Sequence, residues 1–68
     1  MPKGTVKWFN TTKGYGFIAP EDGGADIFVH ISAVEQSGLT GLADDTPVEF
    51  ELIEGRDGRQ MAGSIVPQ

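Results

Sequence analysis

Two neighbouring runs, Tyr15-Gly16-Phe17-Ile18-Ala19 and Asp26-Ile27-Phe28-Val29-His30, restrict this chain more than any other feature. Side chains of a strand alternate between faces, and period-two alternation marks a half-buried strand. Pro20-Glu21-Asp22-Gly23-Gly24 between the runs is a turn signal. The two runs are therefore expected to lie side by side as antiparallel strands. One face of the pair then holds Ile18, Ile27 and Val29. The other holds Tyr15, Phe17, Phe28 and His30, together with Asp26.

Three further runs are strand-like. Thr5-Val6-Lys7-Trp8-Phe9-Asn10 precedes the pair, and Val48-Glu49-Phe50-Glu51-Leu52 alternates without a break. The last run extends from about Gln60 to Val66, with Gly63 the expected site of a bulge. Asp57-Gly58 is a strong two-residue hairpin turn, because both central positions need positive φ. Between Ile31 and Thr46 the sequence is looser. Ser32-Ala33-Val34-Glu35 matches a single capped helical turn, the serine hydroxyl accepting from the Glu35 amide. No long stretch has a period of 3.6. The expectation is an all-β fold in which five antiparallel strands hide their edges by curling into a closed or nearly closed barrel.

Physical chemistry decides which face points inward. Ile and Val suit a buried pleated surface, whereas Asp26 and His30 are costly to bury unpaired. The aliphatic face is expected inside and the rings outside. A contiguous exposed aromatic patch on a small protein marks a binding site. Trp8 and Phe9 are adjacent, so a regular strand cannot bury both. Trp8 is assigned to the outer patch, where its indole N–H needs no buried partner. Gly14 and Gly16 flank Tyr15. They are either turn glycines or gaps that let a flat partner approach the ring closely.

The chain has 68 residues and no cysteine. That length is room for one domain, 1–68, with a thin core. Disulfides, thiolate metal sites and cysteine nucleophiles are excluded, which favours an intracellular home. No segment has the apolar length of a signal peptide or membrane span. His30 is the only histidine. Asp26, four residues earlier along the strand, stands roughly 13 Å away by strand rise, too far for an acid–base pair. An enzyme is not expected, and neither is a metal or other cofactor.

The net charge of −5 hides a split. Residues 1–18 contain Lys3, Lys7 and Lys13 and no acid, while all ten acids follow them, against only Arg56 and Arg59. Lys7 and Lys13 bracket the ring face in sequence. Rings interleaved with cations are what an unpaired nucleic-acid strand requires. Each base stacked on an aromatic side chain is worth about 1–3 kcal/mol, and phosphates need positive charge nearby. Duplexes, whose bases are already stacked and hidden, are expected to bind poorly. The acids, Glu49, Glu51, Asp44 and Asp45 among them, belong to a solvated surface elsewhere. The competing reading is an interaction module that grips an extended proline-rich peptide on the same rings.

Three segments carry a family likeness. Lys13-Gly14-Tyr15-Gly16-Phe17-Ile18 looks like a first ribonucleoprotein motif, Ile27-Phe28-Val29-His30 like a second, and Gly4-Thr5-Val6-Lys7-Trp8-Phe9-Asn10 like the opening strand. In that order they closely resemble the bacterial cold-shock proteins over essentially the whole chain. The resemblance implies a five-stranded oligonucleotide-binding (OB-type) barrel. It implies a cytoplasmic RNA chaperone that binds single-stranded RNA and DNA, often with a pyrimidine preference. Stacking alone predicts weak sequence readout, because every base has a π-face, and a monomer is expected. It carries a binding role to Lys7, Trp8, Lys13, Tyr15, Phe17, Phe28 and His30, and to Asp26, which can accept from a base edge.

Two positions depart from the family's pattern. Ile31 and Leu39 stand where many relatives have phenylalanine, keeping apolar contact but losing a stacking ring. The double variant Ile31→Phe, Leu39→Phe should bind a long single strand more tightly, by up to about 1–3 kcal/mol per ring. Equal affinity in a fluorescence titration would show that these positions do not limit stacking.

Overall fold

The computed structural model describes residues 2–55 and 58–68. Five strands and one short helix follow one another: β1 (Lys3–Asn10), β2 (Tyr15–Pro20), β3 (Ile27–His30), α1 (Ile31–Gln36), β4 (Pro47–Glu54) and β5 (Gln60–Pro67). The five runs expected from alternation are the five strands, each extended by a residue or two at an end except β3, which starts after Asp26. Arg56 and Asp57 lie outside the described residues, and with them the expected Asp57-Gly58 turn.

The strands form a closed barrel in the order β1-β2-β3-β5-β4. Four ladders are antiparallel, but β3 and β5 run parallel. An antiparallel arrangement throughout is geometrically impossible here. Strand direction must alternate around an antiparallel ring, and an odd ring cannot alternate all the way round. α1 and the following loop supply the long connection that lets the fourth strand start back beside β1.

The core is aliphatic apart from one ring. Val6, Ile18, Ile27, Val29, Ala33, Val34, Val48, Phe50, Ala62 and Ile65 are buried and in mutual contact. Ile18, Ile27 and Val29 point inward, as the alternation of β2 and β3 requires. Gly63 is the extra residue of a bulge: Glu51 pairs with Ser64 and Leu52 with Ala62, leaving Gly63 unmatched. A Cβ there would stand 2.9 Å from the Ile53 side chain, so an added methyl would require Ile53 to shift.

The helix differs from expectation in its cap. α1 begins one residue before Ser32, and its N-cap is His30, with φ −95° and ψ 152°. The imidazole takes the place of the expected serine hydroxyl, its Nδ1 accepting from the Ser32 amide at 3.1 Å. The strand runs up to His30, so the chain changes direction there and the cap falls at the strand end.

Phe50 is the largest fully buried side chain. Phe50→Ala should destabilise the barrel by about 3–5 kcal/mol, measured by urea unfolding. A loss below about 1 kcal/mol would mean that the surrounding strands collapse into the gap.

Candidate nucleic-acid interface

The solvent face of β1, β2 and β3 carries a continuous set of rings. Register explains it. Tyr15 pairs with His30 and Phe17 with Phe28 across the β2–β3 ladder, and Trp8 pairs with Phe17 across the β1–β2 ladder. Each aromatic residue therefore has another directly opposite. Tyr15 and Phe28 stack at 5.8 Å between centroids and 24° between planes. Phe17 meets Phe28 edge-on at 5.8 Å, and Trp8 meets Phe17 at 5.4 Å and Tyr15 at 5.6 Å. His30 lies 6.5 Å from Phe28, tilted by 35°. Tyr15, Phe17 and Phe28 are half-buried by these mutual contacts, and Trp8 keeps 38% of its surface open. Edge contacts of this kind hold each ring in place and leave part of its surface to solvent.

A second bulge brings Trp8 into the set. Val6 pairs with Ile18 and Trp8 with Phe17, so Lys7 has no partner in the ladder. Strict alternation after the buried Val6 would send Lys7 outward and Trp8 inward. The extra residue resets the parity, putting Lys7 and Trp8 both outside and turning Phe9 toward the core. Nothing in the sequence marks this bulge, which contains neither glycine nor proline.

The cations are less free than the sequence implied. Lys7 Nζ lies 2.9 Å from Asp26 Oδ2, so two residues expected to touch nucleic acid touch each other. Lys3 faces Glu49 at 3.9 Å. Lys7–Asp26 is exposed and Lys3–Glu49 partly so, and at such surface positions a bridge contributes about 0–1 kcal/mol and yields readily to a competing phosphate. Lys13 sits in the turn between β1 and β2. That turn is held by Asn10, whose Oδ1 accepts from the Lys13 amide at 2.9 Å and whose carbonyl accepts from the Gly14 amide at 2.8 Å. Asn10 thus positions Lys13. Its place just ahead of a turn is the only sequence signal for that role.

Ile31 and Leu39, the remaining expected residues, carry no ring and pack toward the core. The Ile31 amide donates to the Gly14 carbonyl at 2.8 Å, tying the β1–β2 turn to α1. Ile31 and Leu39 are half-buried and pack against the core cluster. Gly16 requires a correction: it opens no space beside Tyr15. It points inward, and a Cβ on it would run into the Trp8 carbonyl and stand 2.7 Å from Phe9 Cα. Its role is to let β1 and β2 approach closely. Gly14 has φ +84° and belongs to the turn.

Among the described residues no three of His, Cys, Asp and Glu converge as metal ligands, and no helix is long and apolar enough to cross a membrane. What the site offers is flat apolar surface, ring N–H and O–H donors, and lysines at its edge. That is equipment for holding stacked planar groups on a phosphate backbone.

Comparison with known proteins agrees with this chemistry. The profile of the 'Cold-shock' DNA-binding domain matches residues 2–67. The chain belongs to the cold-shock domain family. The domain is 56% identical over 62 residues to a probable cold shock protein of Sinorhizobium fredii, covering 91% of this chain and 90% of that one. It is 52% identical over 63 residues to the cold shock-like protein CspE of Escherichia coli, covering 93% and 91% respectively. Glycine-rich protein 2 of Nicotiana sylvestris is 55% identical over 63 residues, which make up only 29% of its length. In that plant protein the matched segment is one part of a longer chain. The family is a nucleic-acid-binding one.

Gly16→Ala should cost the cold-shock domain about 1–3 kcal/mol in urea unfolding, because the added methyl meets strand backbone rather than a movable side chain. An unchanged midpoint would show that β1 and β2 can part to admit it.

Proposed function

We propose that this protein binds single-stranded RNA and DNA by stacking bases on Trp8, Tyr15, Phe17, Phe28 and His30, and that it works as an RNA chaperone in the cytoplasm. One observation carries the reading: the rings form an unbroken surface on the solvent side of a closed barrel. A strand laid along it exchanges water-facing base surface for ring surface. Each stacked base contributes about 1–3 kcal/mol whatever its identity, which accounts for weak sequence preference. A duplex offers no free base faces. Binding then favours the unpaired state of an RNA, and that bias is what a chaperone of RNA needs.

Lys7 and Lys13 contribute orientation more than affinity. The protein carries a net charge of −5, so long-range attraction to a polyanion is absent. Asp26 beside Lys7 can accept from a base edge once the lysine turns to phosphate. Ile31 and Leu39 extend the apolar border of the surface.

Titration of Trp8 fluorescence with a short pyrimidine oligonucleotide tests the reading directly. Quenching should be strong with the single strand and weak with the same sequence as duplex. With two lysine–phosphate contacts, log affinity should fall against log salt with a slope of roughly −1.4, at about −0.7 per contact. A flat response would favour the peptide-binding alternative. Phe17→Ala should lose about 1–3 kcal/mol of binding. Its unfolding free energy should fall less than that of Val29→Ala, which opens a gap in the core.

A further inference from the structure

The cap of α1 fixes which edge of His30 the platform presents. Nδ1 lies 3.1 Å from the Ser32 amide nitrogen and 3.0 Å from Ser32 Oγ. A backbone N–H can only donate, so Nδ1 must supply its lone pair. A neutral imidazole has one N–H, and with Nδ1 committed as acceptor the proton resides on Nε2. His30 is exposed, and its ring stands beside Phe28 and opposite Tyr15 in the ladder. Its distal edge is therefore a donor of set direction at one end of the ring set, held by a backbone contact made on folding.

We propose that the Ser32 amide locks His30 as the Nε2–H tautomer, and that this N–H donates to an oxygen of the bound strand. The proposal rests on the single-strand reading above. It assigns His30 a polar role in addition to stacking, and makes Ser32 its positioning residue. A site built this way accepts a strand that brings an oxygen to Nε2. It disfavours one that brings a donor there, because the locked ring cannot switch tautomer without giving up its cap.

The test uses the full chain, whose single histidine makes its ring nitrogens unambiguous. In nitrogen-15 NMR of the free protein, with the imidazole kept neutral in alkaline buffer, Nδ1 should resonate as a lone-pair nitrogen and Nε2 as a protonated one. Averaged or reversed shifts would overturn the lock. A short oligouridylate is then added while Trp8 fluorescence is followed. Quenching together with a downfield move and slowed exchange of Nε2–H supports the donor role. Quenching with Nε2–H unmoved overturns it and leaves the stacking reading intact. No quenching removes both. Abasic substitutions and methylphosphonate linkages, introduced at successive positions, tell a base carbonyl from a phosphodiester oxygen by which one abolishes the Nε2–H shift. His30→Phe keeps a stacking ring without the donor and should bind roughly three- to tenfold more weakly, the worth of one net hydrogen bond. Equal or tighter binding by that variant would refute the proposal. His30→Asn guards against loss of the fold. Its amide oxygen can replace Nδ1 as the cap, so it should melt like the parent and still bind more weakly.

Discussion

The antiparallel register of β2 against β3 is the constraint on which the rest depends. It sets Tyr15 opposite His30, Gly16 opposite Val29, Phe17 opposite Phe28 and Ile18 opposite Ile27. A slip of one residue would move every one of these side chains to the other face. The rings would enter a core that has room for one aromatic, Phe50, and the aliphatic residues would be left in water. The register is held from both sides. Ile18, Ile27 and Val29 need burial, and Asp26 needs its exposed place beside Lys7. Closure through the parallel β3–β5 ladder then anchors β3 along its second edge, so no edge of the ring-bearing sheet is left unpaired.

Much of this was legible because the relevant signals are local. Alternation named the strands and their faces, and Gly63 named its own bulge, since a glycine inside a strand pattern has few other uses. The misreadings come from effects that a sequence window does not contain. The Lys7 bulge depends on how β1 must meet β2 to turn Trp8 outward, and no residue type advertises it. Gly16 was ambiguous because a glycine beside a ring and a glycine beneath a neighbouring strand look alike until the strand is placed. Ser32 matches a capping pattern, yet the helix starts at Ile31, directly after the strand end, so the cap falls two residues earlier on His30, whose imidazole accepts from the Ser32 amide itself. Parallel pairing of β3 with β5 follows from counting strands in a closed ring, a global condition rather than a local one. The ion pair of Lys7 with Asp26 joins residues nineteen apart, and charge counting alone treated both as free.

The acidic balance of the protein is consistent with a nucleic-acid surface once the forces are ranked. Surface ion pairs such as Lys7–Asp26 and Lys3–Glu49 contribute about 0–1 kcal/mol each. A single stacked base contributes about 1–3 kcal/mol, and five rings lie in contact. On the proposed reading, stacking therefore outweighs the charges even when both site lysines reach phosphate. Screening limits the reach of the acids on β4 to about 8–10 Å in ordinary salt. They also discourage a strand from settling on the wrong side of the barrel. An interface of this kind gains little from a more basic protein, and loses discrimination between unpaired and paired nucleic acid, because phosphate attraction is common to both.

Platform and core share the same strands, and this links binding to stability. Phe17 and Phe28 alternate with the inward aliphatic residues Ile18, Ile27 and Val29, so the backbone that orients these rings is the backbone that seals the core. A barrel of this size has a thin core and modest stability. A strand bound across β1, β2 and β3 favours only the folded chain, and at a hundredfold excess over its dissociation constant adds about 2.7 kcal/mol. That is comparable to the loss expected from a damaging core substitution. Cooling weakens hydrophobic burial, so the thin core leaves this barrel sensitive to the occupancy of its own binding face. On the proposed single-strand reading the rings therefore act on the fold as well as on the ligand: when occupied, they add stability from outside to that of the buried core within.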